Sequence, residues 1–96
     1  MTNTQHPLEA CRNCRPGDVL ITRAYNPNRP GDQLPMLSTG HRFTIGSFFM
    51  CFLSFEARAL VISYEASSAE VFVLCDGRLG WIIHQDVDRL ERSWNP

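Results

Sequence analysis

At 96 residues the chain has the length of one domain, and with 44% apolar and 10% aromatic residues it has the material for a core, which excludes an intrinsically disordered chain. The formal net charge of −1 removes any general attraction to nucleic acid or to an anionic membrane. All nine basic residues are arginine; being scattered singly, they read as coding bias rather than as a phosphate-recognising cluster.

Residues 1–14 are expected to be a flexible N-terminal arm. The first ten are polar and aperiodic, and the one helical turn offered by Leu8-Glu9-Ala10-Cys11 is too short to be stable alone. The opening MTNTQHPLEA has neither the apolar core nor the basic flank of a signal peptide. No run approaches the ~20 apolar residues of a membrane span. A cytoplasmic protein with reduced thiols is therefore expected.

The folded domain is expected to occupy residues 15–96. Arg15-Pro16-Gly17-Asp18 is a turn signal, and the β-branched and aromatic residues of Val19–Tyr25 suit a first strand. The same four letters recur at Arg29-Pro30-Gly31-Asp32, which predicts two similar turns. Asn26–Thr39 holds three prolines and is expected to be a long loop rather than a central strand. Arg42–Ile45 is a candidate short strand.

Ser47–Phe55 is the next strand, and it lacks the usual alternation. Phe48, Met50 and Phe52 fall on one face, with Phe49, Cys51, Leu53 and Phe55 on the other. A strand apolar on both faces needs a cover on both. A second copy of the chain, as a two-fold homodimer, is one cover. The preceding loop, through Leu34, Met36 and Leu37, or the N-terminal arm is the other. These residues, with Phe48, Met50 and Phe52, form the candidate interaction face.

Ala59–Tyr64, Val71–Cys75 and Gly80–His84 complete the strands, the last two joined by the Asp76-Gly77 hairpin signal. Trp81 is expected to be largely buried beside Ile83. Asp86 is a candidate helix N-cap, with Val87, Leu90 and Trp94 at helical spacing after it. Five to six short strands with turn signals between them, followed by a short C-terminal helical turn, predict a small all-β barrel.

Two segments carry a family resemblance. Gly80-Trp81-Ile82-Ile83-His84-Gln85-Asp86-Val87, followed by Asp88-Arg89-Leu90, resembles the last strand, one-turn helix and closing strand of SH3-like barrels. Pro16-Gly17-Asp18-Val19-Leu20-Ile21 is similar to the first strand of small SH3-like proteins of tailed bacteriophages and bacteria. The resemblance implies a non-enzymatic binding barrel, phage-encoded and acting on a host or virion protein in the host cytoplasm. It does not extend to polyproline recognition, because Ile83 and Asp86 stand where proline-binding members carry a groove proline and tyrosine. Gly80, Trp81, Ile82 and Val87 are the structural matches.

Other chemistry finds little support. Cys11-Arg12-Asn13-Cys14 places two thiols within reach of one zinc ion, but a tetrahedral site needs two more ligands. His6, His41, Cys51 and Cys75 offer no second pair at ligand spacing, so no cofactor is expected. His84, Asp86 and Asp88 would share a face only if the chain stayed extended there. No nucleophile motif or phosphate-cradling loop appears. The expectation is a self-associating protein–protein interaction module that is not an enzyme. The alternative is a nucleic-acid-binding barrel with Arg12, Arg15, Arg23, Arg29 and Tyr25 as a local patch.

Overall fold

A computed structural model describes residues 7–38 and 49–91. They form one short helix, α1 (Pro7–Arg12), and seven strands. The strands are β1 (Val19–Thr22), β2 (Leu34–Leu37), β3 (Phe49–Leu53), β4 (Arg58–Glu65), β5 (Glu70–Cys75), β6 (Arg78–Ile83) and β7 (Val87–Glu91). A 3₁₀ turn at His84–Asp86 separates the last two. All pairings are antiparallel, in one sheet of order β3-β2-β6-β5-β4-β1-β7.

Local chemistry accounts for the turns. Asp76 and Gly77 both take positive φ, 54° and 74°, the backbone that a two-residue hairpin between β5 and β6 requires. The two Arg-Pro-Gly-Asp segments form matching turns. Asp18 N–H donates to the Arg15 carbonyl at 2.9 Å and Asp32 N–H to the Arg29 carbonyl at 3.1 Å, with Gly17 and Gly31 left-handed. Positive φ at the third residue is the type II requirement.

The core draws on every strand and on α1: Leu20, Leu34, Leu53, Val61, Val73, Ile82 and Val87 meet with Ala10 and Cys11. Residues from both ends of a sheet share one core only if the sheet bends sharply. Ladder irregularities at Ile21/Thr22, Met36/Leu37 and Val61/Ser63 are the bending points, since a bulge kinks its strand and increases twist. Gly80 permits the closest approach. A Cβ there would overlap Met36 Cγ, lie 2.6 Å from Met36 Sδ and 3.0 Å from the Leu37 carbonyl oxygen.

Several expectations are revised. The described residues are mostly β, but with seven strands rather than five or six, and these form an open sheet rather than a closed barrel. Pro7–Arg12, within the stretch expected to be an arm, forms α1 and buries Ala10 and Cys11 completely. The proline-rich loop contains β2, which lies inside the sheet. Pro35 is tolerated because β6 meets β2 only at Leu37–Trp81, so no full ladder is needed beside it. Asp86 is not an N-cap: it ends the 3₁₀ turn, and Val87–Glu91 pairs with β1 as a strand. The candidate strand 42–45, Phe48, His6, His41 and Trp94 lie outside the described residues.

Candidate functional site

The outer face of the sheet begins at β3. Its register with β2 runs Leu34–Leu53, Pro35–Phe52, Met36–Cys51 and then Leu37–Phe49, so Met50 is an inserted residue. An insertion reverses the alternation of a strand. Phe49 and Phe52, on opposite faces of a regular strand, therefore point the same way, with ring centroids 4.6 Å apart. Both rings are about half exposed, at 55% and 52%, and Met50 is 39% exposed.

Directly paired residues of neighbouring strands share a face, which extends this patch across the sheet. Phe49 pairs with Leu37, Leu37 with Trp81, and Trp81 with Phe72, the last two rings 5.1 Å apart. Two residues further along, Leu79 pairs with Leu74 and Leu74 with Leu60, and all three are exposed. The result is an aromatic row beside a leucine row.

The predicted interaction residues divide accordingly. Met50 and Phe52 are on the surface as expected, but Leu34 and Met36 are fully buried, and Leu37 is only partly exposed. The segment bearing them pairs beside β3 instead of lying over it, because strand alternation sends Leu34 and Met36 to the core. Trp81 is likewise partly exposed on the outer face with Ile83, while Ile82 takes the core position. Sequence reading missed Phe72, Leu60, Leu74 and Leu79. The signal was present in Val71–Cys75, which is apolar at every position and so apolar on both faces.

A polar cleft of about 790 Å³ opens beside this face, between the 23–33 segment and the end of β6. Its main feature is Arg23, which follows β1. Arg23 Nη1 and Nη2 donate to Asp32 at 2.6 and 2.7 Å, and Nε donates to Asp86 at 3.1 Å. The bidentate hydrogen bonds hold the Asp32 carboxyl well below the usual carboxylate range, assisted by the Asn26 N–H at 3.0 Å. Arg23 is held protonated above its ordinary range by the same contacts. Its charge is committed to structure, and it also lies 5.6 Å from the centre of the Phe55 ring.

Ser68, Glu70 and His84 line the same cleft. Among the described residues Ser68 Oγ is buried with no hydrogen-bond partner, so none of them is poised as a base to activate it. Asp86 faces Arg23 while Asp88 is exposed and pairs with Arg89 at 2.6 Å, so the His84, Asp86 and Asp88 pattern does not converge. Asp86 is bound by Arg23, and Ile83 is partly buried at the cleft wall.

Cys11 is fully buried, and its thiol pKa is pushed up to about 12 by burial and by the proximity of Cys14. Cys14 rises to about 11, chiefly through burial and then through Asp18. Both are thiols at neutral pH, packed in or against the core. Among the described residues no group of three or more His, Cys, Asp or Glu gathers to hold a metal.

Of the arginines proposed for a nucleic-acid patch, Arg23 is ion-paired, whereas Arg12, Arg15 and Arg29 are exposed. Tyr25 is exposed but stacks edge-on against Phe55 at 5.4 Å. No helix among the described residues is long and apolar enough to cross a membrane. In comparisons with protein families, curated proteins and solved structures, the chain matches none of them.

Proposed function

We propose that this chain is a non-enzymatic protein–protein interaction module that associates with a copy of itself through the apolar surface centred on Phe49, Met50 and Phe52. The observation that carries the reading is the exposed aromatic pair at β3, continuous with the Leu60, Leu74 and Leu79 row. Six bulky apolar side chains on this face, Phe49, Met50, Phe52, Leu60, Leu74 and Leu79, are 37–55% exposed. At roughly 200 Å² for a fully exposed side chain of this size, they present on the order of 500 Å² of surface. Monomers carry largest patches of about 300–600 Å² and these are often functional; a standard interface buries about 800 Å² per partner. Phe49, Met50 and Phe52 account for about half of this patch and form the apolar centre of a dimer interface rather than the whole of one side.

The succession of β6, 3₁₀ turn and β7 supports kinship with the small SH3-like proteins of phages and bacteria, for which association with a host or virion protein in the cytoplasm follows as a further role. Nucleic-acid binding has weaker support, since the net charge is −1 and Arg23, at the centre of the named arginine patch, is engaged with Asp32 and Asp86. Sedimentation equilibrium tests the main reading. A mass approaching twice 10.9 kDa with rising concentration is expected, and the double variant Phe49→Ser/Phe52→Ser should remain monomeric. A wild-type protein that stays monomeric at about millimolar concentration overturns it.

A further inference from the structure

The two ends of the sheet are built differently. β7, at one end, reads Val-Asp-Arg-Leu-Glu, and its charges are held in ion pairs, Arg89–Asp88 at 2.6 Å and Arg58–Glu91 at 2.8 Å. Helix α1 also packs against it. Charges and a covering element are two of the devices that stop an edge strand from recruiting another strand; a bulge is a third, and β3 has one at Met50. β3, at the other end, reads Phe-Met-Cys-Phe-Leu, with no charge and no proline. Among the described residues it pairs with β2 alone. Its outer edge combines backbone donors and acceptors with the half-exposed Phe49 and Phe52 rings.

We infer that two copies of this chain join edge to edge through β3, antiparallel across a two-fold axis, so that the sheet continues from one protomer into the other. This rests on the self-association proposed above and specifies its geometry. A second copy fits this edge because antiparallel pairing about a two-fold axis lets each β3 satisfy the other's backbone groups reciprocally. The strand has no charge, so no like-charge pair is created across the axis, and a net charge of −1 gives negligible repulsion at a distance. Pairing also brings the aromatic pairs of the two protomers side by side and removes them from water. The leucine row, four strands wide of the axis at Leu60, stays outside such an interface.

Two measurements on the full chain test this. Amide hydrogen exchange is followed above and below the dimerisation concentration. Concentration-dependent protection is expected for backbone amides within Phe49–Leu53, because edge pairing adds hydrogen bonds there. In parallel, Met50→Lys and Leu79→Lys are compared by sedimentation, each checked for an intact thermal transition. Met50→Lys should weaken the dimer at least tenfold, and Leu79→Lys less than threefold. A dimer without added β3 protection that Leu79→Lys disrupts tenfold or more is a face-to-face dimer. That result overturns the edge geometry while leaving self-association standing. A chain monomeric throughout overturns both.

Discussion

The rings of Phe49 and Phe52 touch, at a centroid distance of 4.6 Å and a tilt of 53°, although a regular strand would hold them on opposite sides. The bulge at Met50 makes the contact, and with it the uncharged strand β3 acquires an exposed aromatic pair. Being half in water, these rings add little to the stability of the monomer. Replacing both with serine is expected to cost about 1–2 kcal/mol in all, well below the 3–5 kcal/mol typical of one buried Phe→Ala change. Denaturant titration of the monomeric variant measures this, and a larger loss would place the rings in the core.

Gly80 is needed for space rather than for backbone freedom. Gly80→Ala drives a methyl into Met36 and towards the Leu37 carbonyl oxygen. A loss of about 1–3 kcal/mol is expected, as for overpacking generally. The same change made in a Met36→Ala background should cost less, since the side chain it strikes has gone; equal costs in both backgrounds would show no coupling.

The Arg23–Asp32 pair sets an acid limit. The hydrogen bonds from Arg23, and then from the Asn26 N–H, lower the folded-state carboxyl pKa below its unfolded value. The stability they contribute is therefore fully present above the unfolded carboxyl range, near pH 4, and is lost as pH falls through the lower folded value. Asp32→Asn should melt at a lower temperature than wild type at pH 7. The gap should hold down to about pH 4 and narrow below it; a gap that closes between pH 7 and pH 5 would point to a different group.

Burial of the thiols acts at the opposite end of the pH scale. Cys11 ionises in the folded state only near pH 12, against 9.0 for an unperturbed thiol. Its folded-state pKa is raised, so stability is unaffected below about pH 9 and falls as pH rises from there towards the folded value. Cys75, pushed to about 11 by burial, then by Asp76 and Cys51, adds to the same loss. Iodoacetamide at pH 8 should leave both unmodified until denaturant is added, as peptide mapping by mass spectrometry can verify.

Short-range features of this protein are legible in its residues alone. The Asp76-Gly77 hairpin, the twin Arg-Pro-Gly-Asp turns and the strands around Ala59–Tyr64 and Val71–Cys75 rest on backbone preferences and alternation within a few positions. The candidate face was legible in part: an apolar run at Phe48–Phe55 demands a partner wherever it lies. Which of its side chains face water was decided by tertiary structure, because β2 imposes the register and the Met50 bulge reverses the alternation. The same holds for Leu34 and Met36, sent inward by a strand that three prolines made hard to foresee. Arg23, Asp32 and Asp86 lie up to 63 positions apart in sequence and become one cluster only when the 3₁₀ turn comes back against the end of β1. Turn chemistry is local and is written in neighbouring residues. Register, the choice between open sheet and closed barrel, and the pairing of distant charges depend on how all seven strands share one core.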